Sequence, residues 1–368
     1  MSEQYWQGSL RKEGRGELPW WEVLIIKNKG TGPSSVVFRM EHFIADGLSL
    51  ITLFEKFVTR ADGTPITSSV PMKMSNKFRR NENTFATIPK FLKSMIKVLT
   101  LPSSKFDHKV FFRKGIGRHM VHTGKRKCIL FHNVPLEFIK ELKNAAEVTV
   151  NDIILTALSQ AIHDYCVKHD DPVLQKKGKR VRFRALMPVA FPRSDKDKSD
   201  PSRAMRNRWF FISSDIGLGW SNVVDRLKYI KRKMDSLKQS PAIFSNLIMQ
   251  SKIPPLLPLK LARQTVFDVF CRHSMAFTNV PGPGELCIFA GKEVYGLHFI
   301  YNNLLPQVAV LTYNGSVFMN MVLDHEALPD CDVIPILFSK ALVDLAYEMK
   351  VSVPLDVLEH SRKETTVK

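Results

Sequence analysis

Ser34–Leu50 reads SSVVFRMEHFIADGLSL, and this stretch decides the first part of the fold. Its opening, Ser34–Glu41, is β-branched and apolar, the pattern of a strand. From Gly47 the spacing changes: Leu50, Leu53, Phe54 and Phe57 recur as on one side of a helix over Gly47–Val58. Between strand and helix lies an H-x-x-x-D-G run, His42, Asp46 and Gly47. An imidazole at a strand end, a carboxylate on the turn and a glycine opening a helix make a plausible pre-organised site. Strand alternation puts Val36, Phe38, Met40 and His42 on one face, and Val37, Arg39 and Glu41 on the other. His42 is therefore expected to point to the apolar side, where an imidazole needs a partner or a task. A hydrogen-bonded core histidine is the plain alternative.

Working outward, Trp21–Lys27 (WEVLIIK) and Ser34–Glu41 flank Gly30-Thr31-Gly32-Pro33 and read as a hairpin. Arg60–Asn83 reads as a loop with a basic Lys77-Phe78-Arg79-Arg80 cluster. Ile88–Leu99 (IPKFLKSMIKVL) groups Phe91, Leu92, Met95, Ile96 and Leu99, with Lys90, Lys93 and Lys97 around them. Such a basic amphipathic helix suits an anionic membrane surface or an ordinary core. Lys105–Gly117 is a basic connection, and the boundary is placed there, giving domains 1–117 and 118–368.

Beyond it come a strand near Lys127–His132, helices Leu136–Ala146 and Val150–Lys168, and a charged loop, Asp170–Arg180. Strands Val181–Val189 and Asn207–Asp215 follow, then a helix Ser221–Leu237 with a regular apolar stripe. After two further helical stretches, Ser274–Gln307 holds short strands and a Gly/Pro turn. Val308–Tyr313 and Ser316–Leu323 flank Asn314-Gly315, a strong hairpin signal. A helix Val333–Lys350 closes the pattern. Strands and helices mix without strict alternation, which favours α/β (α+β) layers with mixed sheets over a doubly wound fold.

The chain has 368 residues, enough for roughly two domains. Its net charge of +19, from 54 basic against 35 acidic residues, favours anionic partners without choosing among nucleic acid, membrane and phosphate-bearing ligands. Five dispersed cysteines and no C-x-x-C pair read as reduced thiols in an intracellular compartment. No signal-peptide core and no run of 18 apolar residues is visible. Gly115-Ile116-Gly117 lacks the rest of a dinucleotide fingerprint. Asp324-His325-Glu326 lacks a second histidine at ligand spacing, so no metal site is expected. Asn314-Gly315-Ser316 matches a glycosylation sequon but reads as a turn. No cofactor is expected, and no recognition motif supports a nucleic-acid partner.

Four motifs in register resemble the wax ester synthase/diacylglycerol acyltransferase family, whose hallmark is H-H-x-x-x-D-G. His42, Asp46 and Gly47 match it, with Glu41 in place of the first histidine. Leu18-Pro19-Trp20 is similar to the family's P-L-W element, and Asn151-Asp152 to its N-D motif. Thr278-Asn279-Val280-Pro281-Gly282-Pro283 is similar to its S-N-V-P-G-P turn. Arg184–Val189 and Asn207-Arg208-Trp209 also sit where the family has related strands. The likeness runs from about Leu18 to about Lys350.

The resemblance implies a two-domain fold of the chloramphenicol-acetyltransferase and condensation-domain type, with the site in a tunnel between domains. The family carries another strand-and-helix segment ahead of the P-L-W element, so the N-terminal domain is expected to be truncated. The implied reaction moves a fatty acyl group from acyl-CoA to a long-chain alcohol or a diacylglycerol, with His42 as base. An imidazole in water titrates near pH ~6.5, so a neutral histidine can take the hydroxyl proton and return it to the CoA sulfur. Asp46 is expected to brace the turn through a buried basic partner. Asn279 or Asn151 could donate to the developing oxyanion; the plain alternatives are turn chemistry for Asn279 and a helix N-cap for Asn151. Lys176–Arg184 and Lys228–Lys233 are either CoA-phosphate ligands or solvated faces. The implied setting is cytoplasmic, or peripheral on endoplasmic reticulum, lipid droplet or another membrane. A catalytically inactive lipid- or acyl-CoA-binding relative is the alternative function.

Overall fold

The computed structural model describes residues 19–66, 84–190, 205, 207, 209–239, 249 and 256–363. Leu18, the Lys77–Arg80 cluster and Arg208 lie outside the described residues.

The N-terminal part is small. Strands β1 (Trp21–Ile26) and β2 (Ser35–Met40) form an antiparallel ribbon, with Trp21 opposite Met40 and Ile26 opposite Ser35. Helix α1 (Gly47–Phe57) leads directly into the short strand β3 (Val58–Thr59), and α2 spans Thr84–Leu99.

The remainder centres on one mixed sheet. Its strands are β4 (Arg126–Leu130), β5 (Val134–Pro135), β6 (Arg184–Ala190), β7 (Trp209–Asp215), β8 (Met275–Pro281), β11 (Gln307–Tyr313) and β12 (Ser316–Asp324). The order is β4-β12-β11-β8-β6-β7, with β5 also on β12. Strand β8 runs parallel to both neighbours, and the other pairs are antiparallel. The β11–β12 hairpin turns at Asn314 and Gly315, whose φ angles of 44° and 71° are the left-handed values that an Asn-Gly pair adopts at little cost.

Alternation along these strands separates two faces. Met275, Phe277, Val308, Val310, Met319 and Met321 point into a large core shared with the helices. These are α3 (Leu136–Ala145), α4 (Val150–Lys168), α6 (Val223–Gln239), α8 (Ile334–Met349) and α9 (Leu355–Ser361). Helix α4 is buried without a break from Asp152 to Ile162, as expected of a central helix. Val110 and Phe112, from the 105–117 connection, belong to this core too. The sequence reading of Asp170–Arg180 as a plain loop is corrected: it holds α5 (Pro172–Lys177), started by Asp171 as N-cap and Pro172 at N1.

The opposite face is covered more thinly. Val280, Leu311, Tyr313 and Phe318 pack with Ile51 of α1, Val58 of β3 and the half-buried Leu297 and Phe299. Two links tie the N-terminal part here. Strand β3 pairs with β9 (Ile288–Phe289), itself paired with β10 (Lys292–Glu293), and the Arg60 guanidinium meets Glu285 at 2.8 Å. Helix α7 (Leu259–Cys271) adds Phe270 to a third cluster with Ile116, Leu186 and Leu305.

Candidate functional site

Strand β2 stops at Met40 because the chain turns. The Ile44 amide donates to the Glu41 carbonyl at 3.1 Å, and the Glu41 amide to the Trp20 carbonyl at 2.9 Å. His42 and Phe43 occupy the corners of this turn, and the Trp20 ring meets Phe43 edge-on at 4.8 Å. The alternation argument for His42 is thus corrected: it stands beyond the strand, and Val36 and Phe38, its expected face-mates, are 39% and 38% exposed. Arg39 instead pairs with Glu22 across the ribbon at 2.6 Å. Pro19 is exposed at the entry to β1.

Asp46 is buried and caps α1, its carboxylate accepting from the Ser49 amide at 2.9 Å. This satisfies one of the donors that every helix start leaves open. At Gly47 a Cβ would lie 3.1 Å from Val280 Cγ2, so the start of α1 rests directly on the end of β8.

The residue before Val280 is Asn279, whose side-chain Nδ2 donates to Asn151 Oδ1 at 2.6 Å. Asn151 is not the N-cap of α4. Thr149 holds that place in a capping box with Asp152, whose Oδ2 accepts from the Thr149 amide at 2.9 Å. The side chain of Asn151 is thereby left for Asn279. Asp152 is buried, and its other carboxylate oxygen has no hydrogen-bond partner among the described residues. Pro281 lies opposite Thr312, and Gly282 follows so close to β11 that a Cβ would sit 2.6 Å from the Thr312 carbonyl. The fold therefore brings Gly47, next to Asp46, against the β8 end at Val280, and joins Asn279 to Asn151 through a hydrogen bond. It makes no direct hydrogen bond between His42 and either asparagine.

The His42 ring is partly buried, and neither ring nitrogen has a hydrogen-bond partner among the described residues. It meets two aromatic rings edge-on: Tyr301 at 4.7 Å and Trp209 at 6.1 Å. The Trp209 indole donates to Asn207 Oδ1 at 2.7 Å, and Trp209, Phe211 and Phe270 continue as ring contacts at 4.6 and 5.3 Å. Burial pushes the Tyr301 phenol above its ordinary pKa. Sequence reasoning missed Tyr301, which lies in no motif, and quoted Trp209 only as part of a strand. The alternation of Trp209, Phe211 and Ser213 along β7 was the available signal.

Several residues weighed as ligands have other duties. Arg184 donates to the buried Asp107 from both its amide and its Nε, each at 2.6 Å, so its side chain is a core group rather than a phosphate ligand. Lys179 lies 4.2 Å over the Trp220 ring. Asp324 accepts from Thr123, and Glu326 pairs with Lys125. Among the described residues, no three His, Cys, Asp or Glu side chains gather to hold a metal ion, and no helix is long and apolar enough to cross a membrane.

Residues 206–346 match the family model for the WS/DGAT C-terminal domain. Wax ester synthase/diacylglycerol acyltransferase 9 of Arabidopsis thaliana is 23% identical over 335 residues, 83% of this chain and 69% of the relative. A probable diacylglycerol O-acyltransferase of Mycobacterium tuberculosis (strain ATCC 25618 / H37Rv) is 22% identical over 341 residues, 87% of this chain and 70% of the relative. Among solved structures, the wax ester synthase/diacylglycerol acyltransferase from Marinobacter aquaeolei VT8 superposes with a TM-score of 0.58 at 17% identity, covering 90% of this chain and 72% of that one. The first condensation domain of the calcium-dependent antibiotic synthetase gives 0.50 at 10% identity, covering 90% and 70%.

The mixed sheet with a helical layer on one face is the chloramphenicol-acetyltransferase and condensation-domain fold. Over most of its length the chain is similar to wax ester synthase/diacylglycerol acyltransferases, and residues 206–346 match the C-terminal domain of that family. Its motif is E-H-x-x-x-D-G, with one histidine.

Proposed function

We propose that the chain is an acyl-CoA-dependent O-acyltransferase that makes wax ester or triacylglycerol, with His42 as general base. The site would lie between an N-terminal domain, 1–117, and a C-terminal domain, 118–368. Acyl-CoA is the co-substrate, a long-chain alcohol or diacylglycerol the acceptor, and no bound cofactor is required.

The carrying observation is the seating of Gly47, at the start of the helix that follows the His42 turn, against Val280, one residue from the Asn279–Asn151 pair. Neutral His42 takes the acceptor hydroxyl proton while the oxygen bonds to the thioester carbonyl carbon. The tetrahedral intermediate then expels the CoA thiolate, and the proton returns to sulfur. Asn279 uses one amide hydrogen on Asn151 and has a second for the developing oxyanion. Asp46 keeps the turn in shape by capping α1, and needs no proton of its own. The exposed Leu92, Ile96 and Leu99, beside exposed Lys93 on α2, support peripheral contact with an anionic lipid surface that supplies the acceptor.

The test gives the purified chain palmitoyl-CoA with hexadecanol or diolein and follows thiol release and ester formation. Ester formed in step with thiol supports the reading and shows which acceptor is used. Saturable acyl-CoA binding with no ester from either acceptor would replace it with a binding-only relative.

A further inference from the structure

We infer that Tyr301 is a positioning residue for His42, holding the imidazole at the angle from which it can reach a substrate. Histidines that act as bases are usually oriented by a carboxylate or carbonyl on one ring nitrogen. His42 has no such partner among the described residues, and it sits at the corner of a turn rather than in a strand. The shortest ring contact it makes is with Tyr301, 4.7 Å between centroids at 69°. That lies within the favourable edge-to-face range, where aromatic contacts fix ring direction as well as bury area.

Tyr301 can do this because its own segment is fastened to the sheet. Two residues earlier, the Phe299 carbonyl accepts from the buried Asn320 side chain at 3.0 Å, and the Phe299 ring packs into the cluster beneath α1. One residue before that, His298 meets the Phe318 ring at 5.3 Å. The same cluster holds α1, which begins five residues after His42. Base and positioning ring are therefore anchored to one body, although they stand far apart in the chain.

The kinetic part of this inference rests on the acyl-transfer reading, so the experiment has a second readout that does not. Tyr301→Ala, Tyr301→Leu and Tyr301→Phe are compared with the unaltered chain for kcat, for KM toward palmitoyl-CoA, and for modification of His42 by diethylpyrocarbonate at neutral pH, read by peptide mass spectrometry. The Ala and Leu variants are expected to lose about two- to tenfold in kcat, the rate equivalent of one aromatic contact, with KM unchanged. In both, His42 is modified several times faster, while the Phe variant keeps the original rate and turnover. Leu covers the case in which Ala fails to fold. Unchanged His42 modification in Ala and Leu, or a Phe variant as impaired as Ala, would overturn the inference. If the unaltered chain shows no turnover, the acyl-transfer reading fails and the modification rates still decide this one.

Discussion

The two faces of the large sheet carry unequal loads. On the helical face, strands and helices bury one continuous apolar core, with Leu158, Phe183 and Leu342 inaccessible to solvent. On the other, α1, β3 and the Leu297–Phe299 segment make a much smaller cluster, and the β1–β2 ribbon leaves Trp21 and Ile25 56% and 68% exposed. The stable side holds the sheet in place; the thin side carries the turn with His42 and Asp46. Burial of apolar area dominates folding free energy, so the helical face carries most of the stability. The motif residues meet where a few contacts decide geometry, such as Gly47 on Val280.

This contrast can be broken at its strongest point by matched truncations. Leu158→Ala, in α4, should cost about 3–5 kcal/mol in urea unfolding, and Ile51→Ala, in the smaller cluster, nearer about 2 kcal/mol. Equal losses would erase the difference between the faces.

A smaller effect comes from acid. Burial, reinforced by the Arg184 charge, holds His273 down to about 3, and its ring bonds Ser213 Oγ at 2.8 Å and the Val269 carbonyl at 2.6 Å. Below the unfolded value of about 6.5 the unfolded chain binds a proton that the folded chain refuses, so stability falls as pH drops from 6.5 toward 3. This group alone accounts for about 2 kcal/mol between pH 6.5 and 5, at ~1.4 kcal/mol per pH unit. His273→Asn should flatten that part of the stability profile; an unchanged slope would show that other groups set it.

Removing the α1 cap is milder. Asp46→Ala should cost about 1 kcal/mol, seen as a small drop in the unfolding midpoint. Smallest of all, Ile25→Thr on the exposed ribbon face should change stability by less than about 0.5 kcal/mol. A large loss there would mean that the ribbon face is covered in solution.

Local periodicity made much of this fold readable. The hairpin around Gly30–Pro33, helix α1, the full span of α4 and the Asn314-Gly315 turn need only neighbouring residues to be recognised, and the structure has them. What stayed hidden depends on residues far apart. The β3–β9 pairing joins two-residue strands 230 positions apart, too short for any pattern. Asp107 and Arg184 look like surface charges in a basic chain, yet they form a buried pair that only the fold reveals. At the candidate site, the motif spacing singled out His42, Asp46 and Gly47, but strand alternation was carried past the true strand end. Tyr301 had no signal at all, because its proximity to His42 is set by the Phe299 anchor rather than by any local pattern.

The proposed acyl transfer gives His42 the role of proton acceptor in ester formation. The most direct measurement is kcat of His42→Ala against the unaltered chain, with palmitoyl-CoA and the acceptor it uses, after matching their unfolding midpoints. A loss of at least about 10²-fold with an unchanged midpoint is expected. Ester formation undiminished in His42→Ala would contradict the claim.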